Sequence, residues 1–182
     1  MNRARAVVTV ALIAALGLSA YRFSLEWSRI EPEDGEFSRS ALDHYRRMLA
    51  TCHAHGLTPM LTFHHFTSPR WIAAAGGWED LRTAERFARF CERAMRALGD
   101  LVPLACTLNE PNLGPLLHEV VGIPHPRGSA GWAAAAAALG TTPERLAPFQ
   151  HAAGPEAVEV MRTAHRLAVD ARRHGIDLPD GR

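Results

Sequence analysis

Residues 102–111 read VPLACTLNEP, a short apolar run that breaks off at an amide, a carboxylate and a proline. Such a run, bounded by turn formers, is what a strand covered on both faces looks like. Two more lie upstream. Tyr21 to Trp27 alternates Tyr21, Phe23, Leu25 and Trp27 with Arg22, Ser24 and Glu26, and Leu57 to Phe63 is mostly apolar. Helical spacing follows each of them. Leu42, Tyr45, Leu49 and Cys52 stripe a helix over about 40–55 that Gly56 stops, and Phe87, Cys91, Met95 and Leu98 stripe another over about 83–98 that Gly99 stops. A last helix is expected from Pro155, a good first-turn residue, to just before Gly175, striped by Val158, Met161, Ala164, Leu167, Ala168 and Ala171. Residues 112–154, rich in Pro and Gly and holding the alanine run 133–138, read as irregular. Strands separated by single helices predict parallel βαβ units. The pattern suits a slice of a (β/α)₈ barrel or a small doubly wound sheet, and spacing alone does not separate the two. No repeat and no linker divides the chain, so 1–182 is expected to be one domain.

Composition narrows the function classes. Hydrophobic residues make up 47% of the 182 and charged ones 21%, as in an ordinary globular domain. Twenty Lys and Arg against 19 Asp and Glu leave a formal charge of +1, with no electrostatic footprint for nucleic acid. Cys52, Cys91 and Cys106 are an odd number in apolar stretches with no CxxC pair, which reads as buried free thiols in a reducing, cytoplasmic setting. The N-terminus allows two readings. Arg3 and Arg5, the apolar run 6–16 and the small residues Ser19 and Ala20 resemble a cleavable secretory leader. The same residues also form an amphipathic helix over about Val7 to Leu16, ended by Gly17. Either way the segment is too short to span a membrane.

Three clusters carry candidate chemistry. Asn109 and Glu110 sit at the C-terminal end of the third strand, the end that faces the active site in a (β/α)₈ barrel. A carboxyl there can protonate a leaving oxygen, and an amide beside it can hydrogen-bond a sugar hydroxyl. Pro111 is expected to hold Glu110 extended. A strand ending in a polar turn is the plainer alternative. At the end of the second strand, His64 and His65 point to opposite sides and cannot easily share a metal, and His53 and His55 lack the helical zinc spacing. One of the pair could donate to a sugar hydroxyl or be structural. On the first strand, Arg22, Ser24 and Glu26 share a face, and an interior Arg22 calls for a carboxylate, with an Arg22–Glu26 pair as one solution. Trp27, Trp71 and Trp78 could stack on sugars but are more often core.

YRFSLEWSRIEP from Tyr21, LTFHHFTSPRW from Leu61, GGW at Gly76–Trp78 and TLNEP from Thr107 occur in this order and spacing. Together they resemble the front portion of glycoside hydrolase family 1, over about Leu12 to His174, with a weaker match between Val120 and Gln150. The resemblance implies a partial (β/α)₈ barrel, strands two to four with their helices, acting without cofactor or metal on small β-glucosides or related glycosides. It implies Glu110 as general acid/base, Asn109 on the sugar 2-hydroxyl, His65 on the sugar, and Arg22 as the arginine that keeps the nucleophilic carboxylate ionised. Phe66 stands where many members have Trp, and offers only an apolar surface.

The family's second carboxylate comes in an Ile/Val-Thr-Glu-Asn-Gly segment, and this sequence contains none. Retaining hydrolysis needs it about 5 Å from the acid/base. The chain ends at Arg182, where a fifth strand should begin, and the first strand is also missing. Little activity is therefore expected of the chain by itself, and an oligomer or a missing barrel half becomes a natural partner. The other readings are a non-catalytic carbohydrate-binding or assembly module and a secreted protein cleaved after its leader.

Overall fold

A computed structural model describes residues 3–177 of the chain. The first helix, α1, spans Arg3–Ala15 and leads into strand β1, Ala20–Ser24. A single turn, α2 (Trp27–Ile30), and helix α3 (Arg39–Ala54) carry the chain to β2, Thr58–His64. Helices α4 (Arg70–Ala75) and α5 (Arg82–Leu98) then precede β3, Leu104–Leu108. The three strands form one parallel sheet in the order β1-β2-β3, pairing Ser24 with Thr62 and His64 with Leu108. The expected strand order and direction are what the chain adopts.

The stripes explain the layer outside the sheet. Leu42, Tyr45, Leu49 and Cys52 are buried on α3, where the Ser38 hydroxyl caps the first turn by accepting from Ala41 N. Gly56 takes φ 70°, the left-handed turn that ends that helix region without a Cβ penalty. On α5, Phe87, Cys91, Met95 and Leu98 are buried with Phe90 and Ala94, a wider face than the stripe because α5 is covered by both the sheet and the last helix. Gly99 does not turn left-handed; it keeps φ −60° and starts a short 3₁₀ turn over 99–101.

Elsewhere the structure corrects the reading. The residues from 112 onward are not wholly irregular. They hold a short turn α6 (Leu113–Pro115), a π turn over 116–120, and helix α7 (Ala130–Ala138), which the alanine run builds. Alanine is the best helix former, and the Ser129 hydroxyl accepts from Trp132 N to start it. Helix α8 begins at Pro155 as expected but runs through Gly175 to Asp177. Its buried face is Ala157, Val160, Met161, Ala164 and Ala168, so Val158 is left 40% exposed beside β3. Helix α1 begins earlier than expected and packs Val10 against Cys52 and Leu57. All three cysteines are free, Cys52 and Cys91 buried and Cys106 only partly so.

Trp27 is not a strand residue. The strand stops at Ser24, and Trp27 enters the core on α2, stacked at 5.2 Å on Phe90 and donating its indole N–H to Glu31 Oε2 at 2.8 Å. Glu31 is fully buried, and it is bonded by Gly35 N and paired with the Arg89 guanidinium, which satisfies the charge. Trp78 lies in the same core, while half-buried Trp71 donates to the Glu31 carbonyl and carries Arg86 over its ring at 5.5 Å. Trp27 and Trp78 are buried in packing, and Trp71 packs against Trp27 with its indole N–H bonded.

Candidate active site

The parallel register brings the C-terminal ends of β1, β2 and β3 level, and the candidate residues gather there. Asn109 N donates to the His64 carbonyl at 2.9 Å, one step past the last pair of the β2–β3 ladder. Asn109 is only 8% exposed. Its side-chain Oδ1 accepts from Arg22 Nη2 at 2.5 Å, across the whole width of the sheet. The Arg22 guanidinium is held on the way by a second bond, Nε to Thr62 Oγ1, at 2.8 Å. Its Nη2 also lies 3.9 Å from Cys106 Sγ. Arg22, Thr62, Cys106 and Asn109 thus line one side of the sheet, the side away from α3 and α5.

The expected Arg22–Glu26 pair does not form. Glu26 lies beyond the end of β1, and its carboxylate accepts from Ser28 Oγ at 2.8 Å and from Thr67 Oγ1 at 3.0 Å. Among the described residues Arg22 is exposed, so it carries no uncompensated burial cost there, and neutral acceptors suffice to place it.

Glu110 departs from expectation in its backbone. Its φ is 48°, not extended, although Pro111 follows. The turn after β3 decides this: the Glu110 carbonyl accepts from Leu113 N at 3.0 Å, closing the turn that starts α6. A non-glycine residue in this region is strained by roughly 1 kcal/mol or more, and such positions gather at functional sites. The Glu110 side chain is exposed, and among the described residues no hydrogen bond or ion pair engages its carboxylate. It is free for a ligand.

The two histidines divide their roles. His64 is buried between Trp78 and Phe149, with ring centroids at 4.7 and 4.6 Å. Its Nε2 meets Ser68 Oγ at 3.0 Å, and the same hydroxyl accepts from Trp78 Nε1 at 3.0 Å. His64 Nδ1 has no partner, and burial holds the ring neutral by lowering its pKa to about 3. His65 is exposed on the opposite side, edge-on to Phe66 at 4.6 Å. Phe66 itself takes φ 74°, a second strained residue at the same rim. Among the described residues no group of three His, Cys, Asp or Glu side chains is placed to hold a metal.

Sequence reading missed Thr62, and it missed Ser28 and Thr67 as donors to the Glu26 carboxylate. Only Thr62 left a signal: by register it faces Ser24 on β1 and Cys106 on β3, on the same side as Arg22.

A family model for glycosyl hydrolase family 1 matches residues 4–158. The chain belongs to glycosyl hydrolase family 1. A solved β-glycosidase, BGL167, superposes with a TM-score of 0.91 at 51% identity, covering 97% of this chain and 43% of that one. A family 1 β-glucosidase from Thermotoga maritima, solved with isofagomine lactam, gives a TM-score of 0.71 at 30% identity and covers 97% and 35%. A β-glucosidase of Agrobacterium sp. is 36% identical over 164 residues, 90% of this chain and 31% of that protein. The three βα units are therefore part of a (β/α)₈ barrel, and the side lined by Arg22 and Asn109 is the barrel interior. The chain spans less than half the length of these family 1 relatives.

Proposed function

We propose that this chain carries the acid/base half of a retaining β-glycosidase site, acting on O-linked β-glucosides or related glycosides. The observation that carries the reading is the pairing at the end of β3: Asn109 is pinned by Arg22, and Glu110 beside it is turned by its positive φ into solvent with an unengaged carboxylate. In the first step the Glu110 carboxylic acid gives its proton to the glycosidic oxygen as the bond to the anomeric carbon breaks, and a second carboxylate attacks that carbon. In the second step the Glu110 carboxylate takes a proton from water, and the resulting hydroxide displaces the enzyme carboxylate. Arg22 holds the Asn109 oxygen, so the amide presents its NH₂ to an acceptor, as a sugar 2-hydroxyl would require. His65 at the end of β2 offers a further donor to the sugar.

The nucleophile is the part this reading assigns to residues beyond these 182. Arg22, which in the family steadies that carboxylate, rests on Thr62 and Asn109 instead. The experiment is binding of methyl β-glucoside to the purified chain, followed by NMR shifts. Binding that is lost in Asn109→Ala while Glu110→Gln retains it supports the assignment of sugar contact to Asn109 and proton transfer to Glu110. Binding indifferent to Asn109 would remove the reading. Strong binding with no hydrolysis under any complementation would favour a carbohydrate-binding module.

A further inference from the structure

We infer that Thr62 is a positioning residue for this site: its hydroxyl locks Arg22, and through Arg22 fixes the Asn109 amide as a hydrogen-bond donor toward bound ligand. The argument begins with the symmetry of an amide side chain. Rotation by a half-turn about its last bond exchanges oxygen and nitrogen at almost no steric cost, so an unanchored Asn offers either a donor or an acceptor. Arginine removes that freedom, because all its N–H groups are donors and only the amide oxygen can face it. The 2.5 Å bond from Arg22 Nη2 to Asn109 Oδ1 therefore turns the Asn109 NH₂ the other way.

Arg22 needs anchoring in its turn. It is exposed, its long side chain is free to adopt many rotamers, and among the described residues no carboxylate fixes it. Thr62 supplies the anchor. It is fully buried on the central strand, between the strands that carry Arg22 and Asn109, and its Oγ1 accepts from Arg22 Nε at 2.8 Å. Threonine is β-branched, so its side-chain rotamer is stiff and the hydroxyl does not wander. The guanidinium is then held at two separate nitrogens, Nε by Thr62 and Nη2 by Asn109, which fixes its plane as well as its position. Cys106 Sγ at 3.9 Å is too weak an acceptor to replace the Thr62 bond.

The identity of the ligand, a sugar hydroxyl oxygen, rests on the function proposed above. The relay itself does not, and it can be tested without substrate. The measurement is the side-chain NH₂ signal of Asn109 in ¹⁵N spectra of the chain, with its order parameter as readout. In the unmodified chain the Asn109 NH₂ group is expected to be ordered, and in Thr62→Val its order parameter is expected to drop clearly as the amide begins to turn. Thr62→Ser, which keeps the hydroxyl and loses the methyl, should restore the order. Arg22→Lys keeps the charge but has no Nε to reach Thr62, and should loosen Asn109 even if Thr62→Val fails to fold. An Asn109 amide that stays ordered in Arg22→Lys or in folded Thr62→Val overturns the proposal, and so does a Thr62→Ser chain as loose as Thr62→Val. Loss of sugar binding in a chain whose Asn109 signal is unchanged would count against the proposed function and leave the relay standing.

Discussion

Gly77 lies so close to Ala147 that a Cβ on the glycine would sit 2.1 Å from the Ala147 carbonyl oxygen. That oxygen accepts from Trp78 N at 2.8 Å, and the Gly77 carbonyl accepts from the buried Thr83 hydroxyl at 2.6 Å. The segment after α7 is thereby fastened to the start of α5, with Trp78 driven into the core beside His64. The obstructing atom belongs to the backbone, so it cannot swing aside.

Gly77→Ala should therefore destabilise the fold by about 3 kcal/mol or more, combining overpacking with a strained φ of 61°. Gly140→Ala is the control, since its φ of 71° imposes similar strain but nothing lies within 4 Å of the added carbon. Denaturant midpoints of the two variants check the difference. Equal losses would show that the close approach at Ala147 is not tight in solution.

Acid should weaken the fold through its buried histidines. His64 has a folded pKa of about 3 against an ordinary 6.5, lowered by burial. Burial also lowers His125 and His151, which sit with His118 in a hydrogen-bonded group where His118 Nε2 meets His151 Nδ1 at 3.1 Å. A depressed folded pKa means the unfolded chain takes up the proton first. The stabilising effect is complete above about pH 6.5 and is lost as pH falls toward 3, at about 1.4 kcal/mol per pH unit for His64. Urea midpoints between pH 7 and pH 4.5 measure the slope. His64→Phe, which suits the surrounding aromatic rings, should flatten it, and a slope unchanged by that substitution would assign the acid sensitivity elsewhere.

The sheet should make the isolated chain self-associate. Among the described residues β1 and β3 each pair on one side only. Beside β3 lies an open groove of about 830 Å³ whose lining includes Met60, Ala105, Leu108, Pro115, Val158 and Met161. Free parallel edges beside apolar surface are templates for further pairing. Sedimentation of the wild-type chain should show oligomers, and Leu104→Lys, placing a charge on the exposed edge residue of β3, should shift them toward monomer. A wild-type monomer that melts in one cooperative transition would contradict this.

The parts of the fold legible in sequence were those fixed by local periodicity. The three long helices and the buried stripes of α3 and α5 follow from spacing that burial on one face demands, whereas the strand order came with the family resemblance. The misses came where tertiary contacts overrode local rules. Trp27 continues the alternation of β1, yet the Glu31 carboxylate and the Phe90 ring draw it into the core on a helical turn. Glu110 precedes a proline, yet the bond from Leu113 N bends it left-handed. Arg22 was legible as a residue needing a partner, but not which one, because Thr62 and Asn109 are 40 and 87 positions away. The site residues themselves were legible chiefly through four short motifs in register, a resemblance that spacing alone would not have supplied.

The central claim is that Glu110 is the acid/base of a site whose second carboxylate lies outside these residues. The most direct measurement mixes the chain with the complementary strands of a family 1 relative and follows hydrolysis of two β-glucosides, one with an activated aryl leaving group and one with a poor alkyl leaving group. By itself the chain should turn over neither. In the mixture both should be cleaved, and Glu110→Gln should slow the alkyl glucoside by 10² to 10⁴-fold, the usual worth of a general acid, because that leaving group needs a proton. The first step on the aryl glucoside should be nearly spared, with azide accelerating release of the sugar, since the small anion needs no base. Turnover by the chain alone, or equal rates for Glu110 and Glu110→Gln on the alkyl glucoside, would contradict the account.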